Sequence, residues 1–276
     1  RKSNMWGWFN MSKTKMSNAR VSHRPTALLV VALVLVAIML SNSVLAQNKQ
    51  SSPVSIEANV SLEWDQTNGV YIAIGDAVVE QGDKRLKADE IIARYDPSSK
   101  RRDLIDVSAT GSVVFIDGDN VARGAKLDYH IGDETYDLSG PEAIVTSPRG
   151  VMTATGSITY RATDINSKHV IAIGAASYKD VNGRVVEGER VVAFIDKESA
   201  IETIEAEGNA KVVTPNGIVA TADRLDYGAA TDRADLFGNV EIIDRDNIMR
   251  GGRAEVEFDK EISRLLSDNT GKRVTG

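Results

Sequence analysis

The 276-residue chain has no cysteine, three histidines and six prolines, and only 5% of it is aromatic. The missing cysteine excludes a disulfide framework and any thiolate metal site, and it is compatible with an oxidising compartment. Beyond the leader described below, only His130 and His169 remain, neither beside a second ligand at helical or strand spacing, so no metal centre and no catalytic histidine follows. The chain has no P-loop, no GxSxG and no dinucleotide fingerprint, and Gly251-Gly252 lacks the glycine-rich context of a phosphate loop. The acidic loops Asp117-Gly118-Asp119-Asn120 and Asp244-Arg245-Asp246-Asn247 lack the remaining ligands of a calcium loop and read as hairpin turns. Adjacent carboxylates such as Asp89-Glu90 fall in alternating strands, where neighbours point to opposite faces and are ill placed to share a proton. No enzyme, no metal and no cofactor is expected.

Basic charge is scarce in the body of the chain. The first 46 residues hold six basic groups (Arg1, Lys2, Lys13, Lys15, Arg20, Arg24) and no acidic one; without them 27 basic groups face 39 acidic, a net charge of −12. Phosphate binding draws on clustered Lys and Arg, so nucleic acid is excluded as a partner. The leader has the basic, apolar and small-residue order of a secretory signal: residues 13–24 are basic, residues 27–40 are apolar, and Val44-Leu45-Ala46 offers a cleavage site before Gln47. The apolar run is shorter than the roughly 20 residues that span a bilayer. Cleavage is the expectation, with a retained anchor as the other reading.

What is present is repetition. Segments ending in an apolar residue, a spacer and an aromatic recur with Trp64, Tyr95, Tyr129, Tyr160, Phe194, Tyr227 and Phe258 at their ends, as in Ala125-Lys126-Leu127-Asp128-Tyr129 and Asp223-Arg224-Leu225-Asp226-Tyr227. A second landmark, a glycine that reads as the opening of a short strand, recurs at Gly75, Gly111, Gly140, Gly174, Gly208 and Gly238. Each repeat therefore reads as a Gly-led strand, a turn, an aromatic-ended strand, a second turn and a short return strand. Turns fall at Gln81-Gly82-Asp83, Tyr95-Asp96-Pro97 and Pro215-Asn216-Gly217. Within the strands the period is two: Leu127 and Tyr129 oppose Lys126 and Asp128, and Val256 and Phe258 oppose Glu255 and Glu257. One face is apolar and one wet, which predicts an all-β protein: a sandwich, a jelly roll or a β-solenoid. Residues 196–207 are a weak helix candidate that reads better as a strand. The apolar face either fills a core or lines a groove; a groove of branched aliphatics suits acyl chains, at about 0.8 kcal/mol per buried methylene.

Two motifs carry a family resemblance. Gly75-Asp76-Ala77-Val78 followed by Ala88-Asp89-Glu90-Ile91, and Gly208-Asn209-Ala210-Lys211 followed by Ala222-Asp223-Arg224-Leu225, together with Pro53-Val54-Ser55-Ile56-Glu57-Ala58 just after the leader, resemble the LptA-like (OstA-like) family of lipopolysaccharide-transport proteins. The resemblance covers roughly residues 53 to 270. It implies an elongated open β-jellyroll of antiparallel strands built from tandem repeats, in two units: residues 47–165 and residues 166–276, the second continuous with the first, after a leader at residues 1–46. It further implies a periplasmic protein that takes lipopolysaccharide from an inner-membrane extraction complex, shields its acyl chains, and passes it to an outer-membrane translocon while stacking head to tail with copies of itself. By position, Val54, Ile56, Phe115, Leu127, Tyr129 and Ile131 are the expected lipid contacts. The chain departs from the family's pattern in its length and at Glu189, which sits where matching strands place the small residues Gly124 and Ala222 and predicts an interrupted lining around residues 188–194. The stretch at residues 54–60 and the strand at residues 254–258 read as unprotected terminal edges. A structural β-solenoid scaffold and a membrane-tethered LptC-like component are the alternative readings; a carbohydrate-active β-helix ranks below them for want of clustered charges on one face.

Overall fold

The computed structural model describes residues 54–99, 104–164, 167–196, 200–258, 260, 262–267 and 274–276, with residues 54, 163, 164 and 167 described by backbone alone. The leader, its cleavage site and Pro53 lie outside the described residues. Two short strands, β1 (Val54–Glu57) and β2 (Ser61–Asp65), precede four long ones: β3 (Val70–Gln81), β4 (Lys84–Tyr95), β5 (Leu104–Asp117) and β6 (Asn120–His130). Four shorter strands follow, β7 (Thr135–Ser139), β8 (Ala143–Ser147), β9 (Gly150–Ala154) and β10 (Ser157–Asp164). Six long strands then run from β11 (Ser167–Asp180) through β12 (Val185–Ile195), β13 (Ile201–Val213), β14 (Val219–Gly228) and β15 (Arg233–Asp244) to β16 (Asn247–Glu257), and β17 (Ile262–Leu266) closes the order. Of the weak helix candidate at residues 196–207, residues 201–207 lie in β13, and residues 197–199 lie outside the described residues.

All pairings are antiparallel, and almost all join neighbours in the chain. The exceptions complete the pattern: β1 and β2 together pair along β3, β7 and β8 along β6, and β9 and β10 along β11, while β7 pairs with β10 as β8 does with β9. The result is one continuous meander of hairpins. Between β7 and β8 the ladder is interrupted at Gly140-Pro141, where proline has no N–H to donate.

Five of the six repeated glycines do not open strands; Gly140 alone stands ahead of one, β8. Gly75, Gly111, Gly174, Gly208 and Gly238 sit in the middle of β3, β5, β11, β13 and β15, so each expected return strand and the Gly-led strand after it form one strand with a kink. The register shows the cause: Ile74 faces Glu90 and Ala77 faces Ala88, so β3 places Gly75 and Asp76 opposite Asp89 alone. That is a β-bulge of one extra residue, which bends its strand while the ladder continues on both sides. At Gly111 φ is +76° and a Cβ would fall 2.1 Å from Asp89 Oδ2; at Gly238 φ is +76° and a Cβ would fall 2.2 Å from Asp223 Oδ2. Glycine is required there twice over, for the backbone and for the facing side chain. The next residues, Asp76, Ser112, Ala175, Asn209 and Asn239, are also left-handed, with φ between +40° and +54°, which explains why four of the five are short and polar.

The bulges lie in register and crease the sheet along its length. They also invert the side-chain alternation of the partner strand: in β4, Lys84, Leu86 and Ala88 are buried, then Ile91, Ala93 and Tyr95. Asp89 and Glu90 therefore both fall off the buried face, not on opposite faces as simple alternation predicts. Buried side chains from both sides of the crease belong to one core, which a flat sheet would leave in water. The sheet is folded over on itself, an all-β jellyroll-like body with two facing walls. Alanines crowd the crease, with Ala77, Ala109, Ala143, Ala172, Ala206 and Ala210 fully buried, because only small side chains fit where the walls meet. Larger groups such as Leu225, Leu236 and Ile242 lie deeper along the strands, each worth about 1.5–3 kcal/mol on burial. One terminal edge differs from expectation. Residues 254–258 are not at the edge, since β17 pairs along that half of β16 and Thr275 bridges Arg250 on the other half.

Candidate functional site

The space between the walls is the candidate site. All seven aromatic-ended segments belong to even-numbered strands (β2, β4, β6, β10, β12, β14 and β16), which run in the same direction, so their aromatic ends collect along one rim of one wall. Odd-numbered strands add Tyr71 and Tyr136, which knit the rim into stacks. Trp64 stacks on Tyr71 at 5.5 Å and donates from Nε1 to Tyr95 Oη at 2.9 Å, while Tyr136 stacks on Tyr129 at 4.2 Å and meets Tyr160 at a tilt at 5.9 Å. Burial pushes the phenols of Tyr129, Tyr136 and Tyr160 above the usual range, so they stay neutral. Phe194 is the exception: its buried neighbours Val191 and Ala193 take the inward phase, and Phe194 packs on His169 instead.

Toward the β1 to β5 end, Ile56, Leu62, Tyr71, Ala73, Val79, Leu86, Ile91, Ala93, Leu104 and Val107 line an apolar slot between the walls with about 40 Å³ of free space. A water molecule's share of liquid volume is about 30 Å³, so in this conformation the slot is too narrow for an acyl chain unless the walls part.

Farther along, the mouth is stapled. The β11–β12 turn is held by Asp180, which accepts backbone N–H bonds from Asn182 and Arg184 at 2.8 and 2.9 Å. It presents Arg184 to the aromatic rim of β14 to β16. There the guanidinium pairs with Asp232 at 2.8 Å, donates to Tyr227 Oη at 2.5 Å, and lies 4.5 Å from the Phe258 ring centre. Burial, with the Tyr227 hydroxyl donating to Asp232, pushes the Tyr227 phenol up to about 12.

Each expected lipid contact can be placed. The Val54 backbone pairs with Gln81 in the β1–β3 ladder, and its side chain lies outside the described residues. Ile56 is half-buried, faces Val79 in register and lines the slot. Leu127 and Tyr129 are buried in the aromatic wall, with Ile131 packed on the same core just past β6. Phe115 packs into the core from the opposite wall, flanked by Leu86 and Ala122. The expected interruption at Glu189 does not occur: Gly188 faces Ala176 at the lining position, and Glu189 is exposed at the crease. The bulge moved the register by one residue. Two inward cations, Lys84 and Arg184, were missed. Lys84 was legible in principle, since it shares the phase of Leu86 and Ala88; Arg184 depends on a contact 43 residues away in sequence.

Among the described residues no group of three or more His, Asp or Glu side chains could hold a metal ion, and no helix is long and apolar enough to cross a membrane. No curated protein matches the chain. A solved structure, LptH from Pseudomonas aeruginosa, described as the LptA-homologous periplasmic component of the conserved lipopolysaccharide transport device, is 15% identical over 82% of this chain and 89% of its own, with a TM-score of 0.19. The family model described as LptA/(LptD N-terminal domain) LPS transport protein matches residues 55–167 and 182–262. With most of its length so matched, the chain belongs to the LptA/LptD N-terminal family of lipopolysaccharide-transport proteins.

Proposed function

We propose that this chain is a periplasmic, non-enzymatic carrier that binds lipopolysaccharide by its acyl chains between the two walls and bridges the inner and outer membranes. The observation that carries this reading is the single apolar core formed by facing walls of one folded sheet, with a slot already present beside Ile56. The walls are joined through the crease, so lipid can part them without breaking the ladder within either wall. The family's match in two stretches supports two units in tandem, residues 47–165 and 166–276, with the β10–β11 ladder making the second continuous with the first. Among the described strands the outer edges, β1 with β2 at one end and β17 at the other, support head-to-tail stacking of copies, since Val60, Leu62 and Ile262 are exposed there at 74%, 58% and 43%. Handover from an inner-membrane extraction complex to an outer-membrane translocon is part of the same reading. A photo-crosslinker at Ile56 or Phe115 is expected to capture lipopolysaccharide in cells; capture at an outward position such as Lys87 but at neither of these would refute it.

The narrowness of the slot favours one second reading, a scaffold with a filled core. A hydrophobic dye separates the two: fluorescence enhancement that lipopolysaccharide competes away supports the carrier, and no enhancement supports the scaffold.

A further inference from the structure

Lys84 is a buried charge that the fold leaves unsatisfied. It opens β4 in phase with Leu86 and Ala88, so its side chain enters the space between the walls, and it is only 4% exposed. Its Nζ makes no hydrogen bond, and the carboxylate paired with it, Asp117 Oδ2, lies 3.9 Å away, beyond hydrogen-bond range. Burial holds the ammonium below the usual lysine range and pushes Asp117 up, with Asp83 as the remaining nearby charge. Arg184, on the corresponding turn of the second unit, is held within hydrogen-bond range by Asp232 and Tyr227. Burying an ion without hydrogen bonds is costly, and a methionine would fill the same volume at no such cost. The residues beside Lys84 indicate what would satisfy it. Val79 and Leu86, one strand position deeper, line the apolar slot with Ile56 and Tyr71. A compact cation at the outer end of an apolar slot matches an amphiphile with an anionic head and an apolar tail.

We propose that Lys84 anchors the anionic head of an amphiphile whose chain enters the slot lined by Val79 and Leu86. This rests on the groove reading above and adds to it a recognition site for charge. The head displaces the long Lys84–Asp117 contact and supplies the short charge-assisted bonds that the ammonium lacks.

The test measures binding of dodecyl phosphate, neutral dodecyl maltoside and inorganic phosphate to purified wild-type, Lys84→Met and Asp117→Asn proteins. Wild type is expected to prefer dodecyl phosphate to the maltoside. Lys84→Met is expected to weaken dodecyl phosphate by about tenfold or more and leave the maltoside unchanged, with no fall in the thermal midpoint. Asp117→Asn, which removes the competing carboxylate, is expected to tighten dodecyl phosphate and decides the matter if Lys84→Met does not fold. Equal affinity of wild type for the two amphiphiles, or no effect of either substitution, overturns the anchor and leaves the groove standing. Inorganic phosphate binding as tightly as dodecyl phosphate also overturns it, since the tail would then play no part. Failure of both amphiphiles to bind wild type overturns the anchor and the groove together.

Discussion

Replacing Gly111 by alanine imposes two separate penalties at the crease. The first is conformational: at φ +76° an L-residue is held in the left-handed region, at about 1–2 kcal/mol. The second is steric. The new Cβ would lie 2.1 Å from Asp89 Oδ2 and 2.7 Å from Asp89 Cβ, so the neighbouring strand itself must move. Gly118 provides the control. It lies in the turn after the same strand at φ +55°, and a Cβ there meets nothing within 4 Å. Gly118→Ala is therefore expected to cost about 1 kcal/mol, and Gly111→Ala about 2–4 kcal/mol, within the range of overpacked core sites. Urea unfolding followed by far-ultraviolet circular dichroism compares them on one hairpin. Equal losses would refute the reasoning, because they would mean that Gly111 is needed for its backbone angle alone and that the crease has room to spare.

Ala175 is held at φ +40° directly after Gly174, so Ala175→Gly is expected to raise stability by about 1 kcal/mol, read as a higher urea midpoint. Arg184→Leu removes the staple from β14 to β16; because Asp232 keeps 34% side-chain exposure and water recovers part of the loss, the expected cost is about 2 kcal/mol, with faster amide exchange at residues 227–233 as the local sign. The Tyr227 phenol, raised from 10.0 to about 12, contributes stability that is complete below pH 10 and is lost as pH rises through 12. Tyr227→Phe is expected to remove one late step from the ultraviolet titration of phenolate and to flatten stability across that window.

The period-two pattern was enough to assign strands and the buried phase of Leu127, Tyr129, Val256 and Phe258, because each lies on a stretch that no bulge interrupts. The glycines announced their recurrence but not their role. A glycine that opens a strand and one that kinks it leave the same mark in sequence, and only the register of the neighbouring strand, two residues against one, tells them apart. The same one-residue shift made Glu189 look like a plug when Gly188 holds the position. At the candidate site, the inward course of Leu127 and Tyr129 could be read locally and Ile56 came only from the family resemblance, whereas the Arg184 staple joins turns from opposite ends of different strands and has no local signature. Lys84 was masked by its charge: a lysine at the start of a strand reads as exposed unless its phase is followed through Leu86 and Ala88.

The alignment of the aromatic ends has a consequence for how such a chain can change length. Every hairpin, about 31 to 34 residues by the spacing of those aromatics, contributes a full cross-section of both walls, the crease and the rim, and advances the sheet by about 9.6 Å at two strand spacings. Duplicating or deleting a whole hairpin keeps every aromatic on its own rim. Loss of a single strand would reverse the direction of everything after it and send the later aromatics to the wrong side. Length is therefore quantised in hairpins while the bore stays fixed, so a lineage can tune how far the groove reaches without redesigning what fits inside it.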